Sequence, residues 1–427
     1  MRRKYSINLS CGQTALYPEA LVEMSRQLHT PIYYLPYYEL EVACIDQLQR
    51  MLYTTNDVLL LVGTATYGEE AAMLSVLERG DRVLTVNTGV FGQVLTDLAR
   101  VVGADPVEIK LPAGQSVTPD QIRRALREDP RIKMVAVVHV ETSRGTMNPV
   151  REIGAMLRQE FPDVIYFVDS VSGLAAAELR LDDWGIDICC TSGQKAVNAP
   201  QGIAIVAVSP KAWRAMETRQ TPIYSLCLDL LYWRRYHASV RTAQASWYTE
   251  GVADAALSEY KAAHGPSQSY VLMKGLKAAL DEIEAEGLEN VWRRHEIAAR
   301  ALRAGVRAMG LQTLASEENA APDATCVIVP GDHFELRRFM RLMWEEYGIA
   351  TAGGSATREA QGYVGFRVGC MGFVAAPAYI LPFLAALEEV LPRMGYHVRR
   401  GAALPAAQAV FAAGGQGSAV QQEEARR

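Results

Sequence analysis

The sequence predicts an α/β protein with a mostly parallel sheet, and three observations carry that expectation. Residues 58–62, 134–140 and 164–168 are almost wholly apolar or β-branched, without the polar alternation of a half-exposed strand. Such runs read as strands covered on both faces, as in parallel sheets. From about 58 to 208 these runs alternate with helical patterns, the order expected of βα units. Thr64, Phe91, Thr142, Asp169 and Lys195 each fall at or just after the end of a predicted strand, where an open α/β sheet gathers its ligand-binding groups.

Length and composition set the outer bounds. The chain has 427 residues, enough for two domains, with 49% hydrophobic and 21% charged residues. A formal net charge of -5 leaves no basic footprint for nucleic acid. Charged residues interrupt every apolar run before it reaches membrane-spanning length. The basic start, Met1-Arg-Arg-Lys-Tyr, leads into no apolar signal core. Seven cysteines, an odd number without CxxC spacing, argue against a disulfide framework or a metal site and for a reducing cytoplasm.

In chain order, residues 6–18 start extended and turn at Gly12 and Pro18, and helices follow over about 19–28 and 39–52. The segment 31–38, P-I-Y-Y-L-P-Y-Y, puts Tyr33 and Tyr34 in an aromatic patch that suits a pocket wall or an interface equally. After the strand 58–62 comes G-T-A-T-Y-G-E-E-A-A, in which small residues open a helix whose free N–H groups favour an anion. The strand 82–86 leads to the turn N-T-G-V-F-G-Q. The strand 134–140 ends in E-T-S-R-G-T-M-N-P. The run 164–168 ends in Asp169, and a second short run, 186–190, leads through T-S-G-Q to Lys195. One strand delivering an acid and its neighbour a lysine is what pyridoxal phosphate chemistry needs: the acid keeps the pyridine nitrogen protonated and the lysine forms the Schiff base.

Residues 211–268 look irregular. A helix over 269–286 ends at Gly287, and strands near 312–315 and 325–329 and a helix near 334–347 follow. After Tyr396 the composition turns to Ala, Gln, Gly and Glu, which reads as a disordered tail.

With V-D-S-V-S at 168–172, G-I-D at 185–187 and S-G-Q-K-A-V-N-A-P-Q-G at 192–202, the chain resembles the class V aminotransferases of fold type I. That group contains the alanine–glyoxylate, serine–pyruvate and pyridoxamine–pyruvate aminotransferases, and the resemblance runs from about Leu9 to Pro392. It implies a large domain with a seven-stranded, mostly parallel sheet and a smaller C-terminal α+β domain. The expected divisions are 1–20 (an N-terminal segment joining the small domain), 21–270, 271–398 and a tail over 399–427.

The resemblance also implies pyridoxal 5'-phosphate as cofactor and a site to hold it. Lys195 would carry the Schiff base and move the proton, and Asp169 would pair with the pyridine nitrogen. Thr64, Ala65, Thr66 and Gln194 would hold the phosphate, with His264 reaching it from a neighbouring subunit of a homodimer. Phe91 and Val171 would flank the ring, and Thr142 would contact the cofactor or substrate. Arg367, directly before V-G-C-M-G, would clamp a substrate carboxylate, with Arg358 as a second arginine. The expected reaction moves an amino group from a small-molecule donor to pyruvate or glyoxylate. Pyridoxamine as the donor is the nearest alternative, although Thr64 stands where those enzymes have an acid. A class V lyase or desulfurase is a further one, disfavoured by Phe91 at the stacking position and by Cys370 in a glycine turn. The Asp169–Lys195 pair argues against a non-catalytic scaffold.

Overall fold

Burial along the strands follows the apolar pattern of the sequence. The computed structural model describes residues 6–32, 34–250, 268–358 and 362–424. Its strands begin with β1 (Ile7–Leu9), β2 (Asp57–Val62), β3 (Arg82–Asn87), β4 (Asp105–Lys110) and β5 (Ile132–Val138). A short hairpin, β6 (Val140–Glu141) and β7 (Thr146–Met147), precedes β8 (Ile165–Asp169), β9 (Ile188–Ser192) and β10 (Ile203–Val208). The last four are β11 (Gln312–Thr313), β12 (Ala324–Ile328), β13 (Ile349–Ser355) and β14 (Gly365–Gly369).

Seven strands form one sheet in the order β2-β10-β9-β8-β5-β3-β4. β10 alone runs against its neighbours, so the sheet is mixed but mostly parallel. Every residue of β8, β9 and β10 is buried, as expected of central strands with both faces covered. The helix Ala65–Val76 lies close on this sheet because Gly68 carries no side chain. A Cβ there would sit 3.0 Å from Ala204 and Val206. At the β2 edge, the Leu60 N–H donates to His237 Nε2 (3.0 Å) and the Leu60 carbonyl accepts from Gln268 Nε2 (2.8 Å). Two side chains thus pair backbone groups of β2 that meet no further strand among the described residues.

The second sheet has the order β1-β13-β14-β12-β11. β1 pairs in parallel with β13, so the N-terminal segment enters this sheet before the chain builds the larger one. Among the described residues no helix is long and apolar enough to cross a membrane.

Two stretches differ from the sequence expectation. The region 211–268 looked irregular, yet Leu230–Glu250 is a helix. Leu230, Trp233, Tyr236, His237 and Val240 lie on its buried face, a helical repeat masked because three of the five are aromatic or His rather than aliphatic. The tail expected to be disordered from 399 instead forms the helix Ala403–Glu424. Glu388 accepts from the Gly401 and Ala403 N–H groups at its start. Ala403 and Ala407 are fully buried one turn apart, and Phe411 packs against the same core. Alanine is the strongest helix former, and its small side chain permits this close docking.

Candidate active site

The site begins at the end of β8. Asp169 is 4% exposed, and its Oδ1 accepts the Val171 N–H at 2.8 Å. Among the described residues no hydrogen bond reaches Oδ2. Its backbone carbonyl accepts the His139 N–H at 2.7 Å, and His139 Nδ1 meets Ser170 Oγ at 3.1 Å. The carboxyl is therefore aimed by a fixed turn. Burial pushes its pKa up to about 7; the Val171 N–H and Lys195 oppose the shift and Glu141 adds to it.

Lys195 lies in the turn that leaves β9. The Gln194 carbonyl accepts the Thr14 N–H at 3.1 Å, and the Lys195 carbonyl accepts the Thr14 hydroxyl at 2.8 Å. Asn198 has a φ of 54° and ties the far side of the turn, donating to the Ala15 carbonyl and accepting the Phe373 N–H. The residues after β1 thus strap the lysine turn. Lys195 Nζ donates to the Cys11 carbonyl at 2.7 Å and sits 5.8 Å from the centre of the Phe91 ring. Burial lowers its pKa, with Cys11, Asp323 and Asp169 resisting and Arg367 assisting.

Phe91 is held by Glu141, whose side chain is fully buried. Glu141 Oε2 accepts the N–H groups of Phe91 and Gly92 at 3.0 Å each, and Oε1 accepts that of Ser143 at 3.1 Å. A carboxylate at the start of the helix Val90–Val101 satisfies otherwise free donors and opposes the helix dipole. The acid of the E-T-S motif therefore positions the aromatic ring.

These groups surround a cavity of about 420 Å³ lined by Thr64, Ala65, Thr66, Phe91, Asp169, Val171, Gln194 and Lys195, all expected from the sequence. Thr64 is the N-cap of the helix Ala65–Val76, but its side chain makes no capping bond. Gln13 and Gln201, joined by a hydrogen bond, also line the cavity. Glu69, which the sequence reading passed over, lines it too; its spacing of four from Ala65 puts both on one helix face. Burial, then Asp169, raise the Glu69 pKa well above the usual carboxylate range. A larger cavity of about 960 Å³ borders the helix Leu288–Ala308 and shares none of these residues.

The other expected residues fall into three groups. Arg367 and Thr142 adjoin the site without lining the cavity: Arg367 Nε donates to the Gly353 carbonyl at 2.5 Å and Nη1 to the Thr142 carbonyl at 3.3 Å. The Thr142 hydroxyl is buried without a partner among the described residues. Arg358 is exposed and Tyr34 is the N-cap of the helix Leu35–Met51; neither lines the cavity. Tyr33 and His264 lie outside the described residues.

Comparison with known proteins agrees with this geometry. The aminotransferase class-V family matches residues 44–223. An uncharacterized aminotransferase of Methanocaldococcus jannaschii is 32% identical over 83% of this chain and 85% of its own length. The chain belongs to the class-V aminotransferases. An L-aspartate–glyoxylate aminotransferase of Paracoccus denitrificans is 30% identical over 85% of this chain and 86% of its own. The crystal structure of pyridoxamine-pyruvate aminotransferase from Mesorhizobium loti superposes with a TM-score of 0.83 at 29% identity, covering 95% of this chain and 97% of that one. This class-V enzyme is a transaminase that works with pyridoxal 5'-phosphate.

Proposed function

We propose that this cavity transfers an amino group from an amino donor to a small 2-oxo acid, glyoxylate or pyruvate. The observation that carries the reading is the facing of Asp169 and Lys195 across one cavity, with the Arg367 guanidinium beside it. The residues fit pyridoxal phosphate. The first-turn N–H groups of Ala65–Val76 and the hydroxyls of Thr64 and Thr66 suit its phosphate. Among the described residues Gln194 Oε1 and Thr142 Oγ1 are buried without partners, and no hydrogen bond there reaches Asp169 Oδ2, which suits it to accept from the pyridine nitrogen. Phe91 and Val171 supply two ring faces.

Pyridoxal phosphate supplies an electron sink for the pair left when a donor's Cα loses its proton. Lys195, as the free amine, would take that proton from Cα and give it back, serving as general base and then general acid. Burial favours its amine form, which suits a base working near neutrality. Asp169 would pair with the pyridine nitrogen and favour its protonated form. Arg367 orients the substrate carboxylate; two of its N–H groups already engage backbone carbonyls, which fixes the plane of the fork.

A second reading takes pyridoxamine itself as donor, and Glu69 favours it. A carboxyl inside the helix that would meet the phosphate weakens retention of a phosphorylated cofactor whenever it ionises. Cys370 gives a desulfurase no support, because it is fully buried with its thiol pKa raised by burial. We also assign the chain to the cytoplasm, and to a homodimer that covers exposed Leu21, Val22, Tyr224 and Leu226. Borohydride reduction of the cofactor-loaded protein, followed by peptide mapping, tests the site. A pyridoxyl group on Lys195 supports it, and one on another lysine overturns it. Sedimentation as a monomer at micromolar concentration overturns the dimer.

A further inference from the structure

His295 was not singled out by the sequence, and the chemistry above does not use it. It is fully buried on the helix Leu288–Ala308. Nδ1 meets the Val291 carbonyl at 2.7 Å, and Nε2 meets the Gly372 N–H at 2.7 Å. A carbonyl only accepts and an N–H only donates, so the ring is the neutral tautomer with its proton on Nδ1. A proton on Nε2 would set two donors against each other. Burial, assisted by Arg294, lowers the ring's pKa to about 3, with the Val291 carbonyl opposing the shift.

The helix passes from one core to the other around this residue. Val291 packs in the core against the larger sheet, whereas Ala298, Ala299 and Leu302 pack against the smaller one. The neighbouring Arg294 donates through Nη1 to the Gly372 carbonyl and pairs with Glu286 through Nε and Nη2. Both backbone groups of Gly372 are thus held by consecutive side chains of one helix. Gly372 lies just beyond β14, the strand that carries Arg367. Its φ is 68°, and a Cβ there would stand 1.6 Å from Asn198 Oδ1. The next amide, Phe373 N–H, donates to that same oxygen at 2.8 Å. Asn198 then closes on the lysine turn: its N–H donates to the Lys195 carbonyl at 3.0 Å and its Nδ2 to the Ala15 carbonyl at 2.9 Å.

We propose that His295 is a positioning residue that fixes Arg367 and Lys195 relative to each other through Gly372, Phe373 and Asn198. Past the His295 bond, the links of this relay are a hydrogen bond or the chain itself, and together they bridge the two sheets. Arg367 orients the substrate carboxylate, and Lys195 must meet Cα of the same molecule. Slack in the relay therefore moves Cα away from the amine. A misplacement of about 1 Å costs about a hundredfold in rate. The loss falls on kcat more than on KM, because the carboxylate still finds Arg367 while Cα no longer faces the amine.

This inference rests on Lys195 and Arg367 serving the proposed transamination. Its test compares the wild type with His295→Ala, which leaves the Gly372 N–H without its acceptor, and His295→Gln, whose side-chain oxygen reaches the place of Nε2. Amide hydrogen exchange with peptide mass spectrometry is followed on cofactor-free protein, and turnover is expressed per cofactor-loaded site. In His295→Ala, exchange rises in peptides spanning 193–199 and 370–376 but not in β3. Its kcat per loaded site falls about 10- to 100-fold, and the KM for the 2-oxo acid changes by less. His295→Gln recovers most of both losses. An unchanged kcat per loaded site, or exchange that rises equally throughout the chain, overturns the proposal. If His295→Ala does not fold, C2-hydrogen exchange of the wild-type His295 ring decides: no midpoint between about pH 5 and about pH 9 supports the relay, and a midpoint near the ordinary histidine value of about 6.5 overturns it. Pyridoxyl labelling of another lysine after borohydride reduction instead overturns the underlying reading of Lys195. Labelling of Lys195 with unaltered exchange in His295→Ala removes the role of His295 alone.

Discussion

Replacing Arg367 with alanine isolates recognition of the acceptor from the chemistry. The guanidinium offers five N–H donors. In the structure Nε serves the Gly353 carbonyl and Nη1 the Thr142 carbonyl, which leaves three, both of those on Nη2 among them. A carboxylate that takes two gains two charge-assisted bonds, each about 1.5–3 kcal/mol. Loss of one corresponds to about a tenfold change in affinity and loss of both to about a hundredfold or more. Arg367→Ala therefore raises the KM for glyoxylate or pyruvate by roughly 10- to 100-fold or more. Arg367→Lys keeps the charge without the fork and falls between the variant and the wild type. The assay is steady-state turnover with the donor saturating and the 2-oxo acid varied, with thermal melting to verify folding. An unchanged KM in a folded Arg367→Ala protein refutes the carboxylate assignment.

Three further outcomes are expected. Lys195→Ala abolishes steady transamination, and measurable turnover by that variant removes the lysine from its role. His237→Ala leaves the Leu60 N–H unpaired and the buried Glu41 carboxylate without its 2.9 Å partner; denaturant unfolding loses about 2–4 kcal/mol, and a loss below about 0.5 kcal/mol contradicts the edge-capping role. The folded pKa of Asp323 is raised from 3.8 to about 7, so the stability associated with it is full below pH 4 and lost as pH rises through about 7. Asp323→Asn lacks that loss. Without cofactor, its stability relative to wild type therefore climbs between about pH 4 and pH 8, by at most about 4 kcal/mol. A pH-independent difference contradicts the burial of a titrating acid there.

The sequence made legible those parts of the site that depend on strand ends. Asp169 and Lys195 stand out because apolar runs stop abruptly at or before them, and strand register then brings them to one cavity: Asp169 pairs directly with Cys190 of β9. Groups arriving from distant chain segments were not legible. The Cys11 carbonyl reaches Lys195 Nζ from the segment after β1, 184 residues away in the chain, which no local pattern reports. Glu69 is one of two adjacent glutamates, and only the helix phase separates the cavity-facing residue from its neighbour. The sequence showed Glu141 only as the first residue of the turn after the strand 134–140, whereas its work is to hold the start of the Phe91 helix. The Tyr33–Tyr38 run was read as a pocket wall or interface; Tyr37 and Tyr38 are fully buried, with Tyr37 edge-on to Tyr270 at 5.1 Å. The tail helix escaped notice because an Ala/Gln/Gly composition suggests disorder, while Ala403 and Ala407 at helical spacing find a surface to dock on.

The central claim is tested most directly by the visible spectrum of the protein loaded with pyridoxal phosphate, followed as candidate amines are added one at a time. The account predicts that one donor bleaches the cofactor's visible band and that glyoxylate or pyruvate restores it. A band that persists with every donor, or that bleaches while free ammonia or sulfide is released, contradicts transamination at this site.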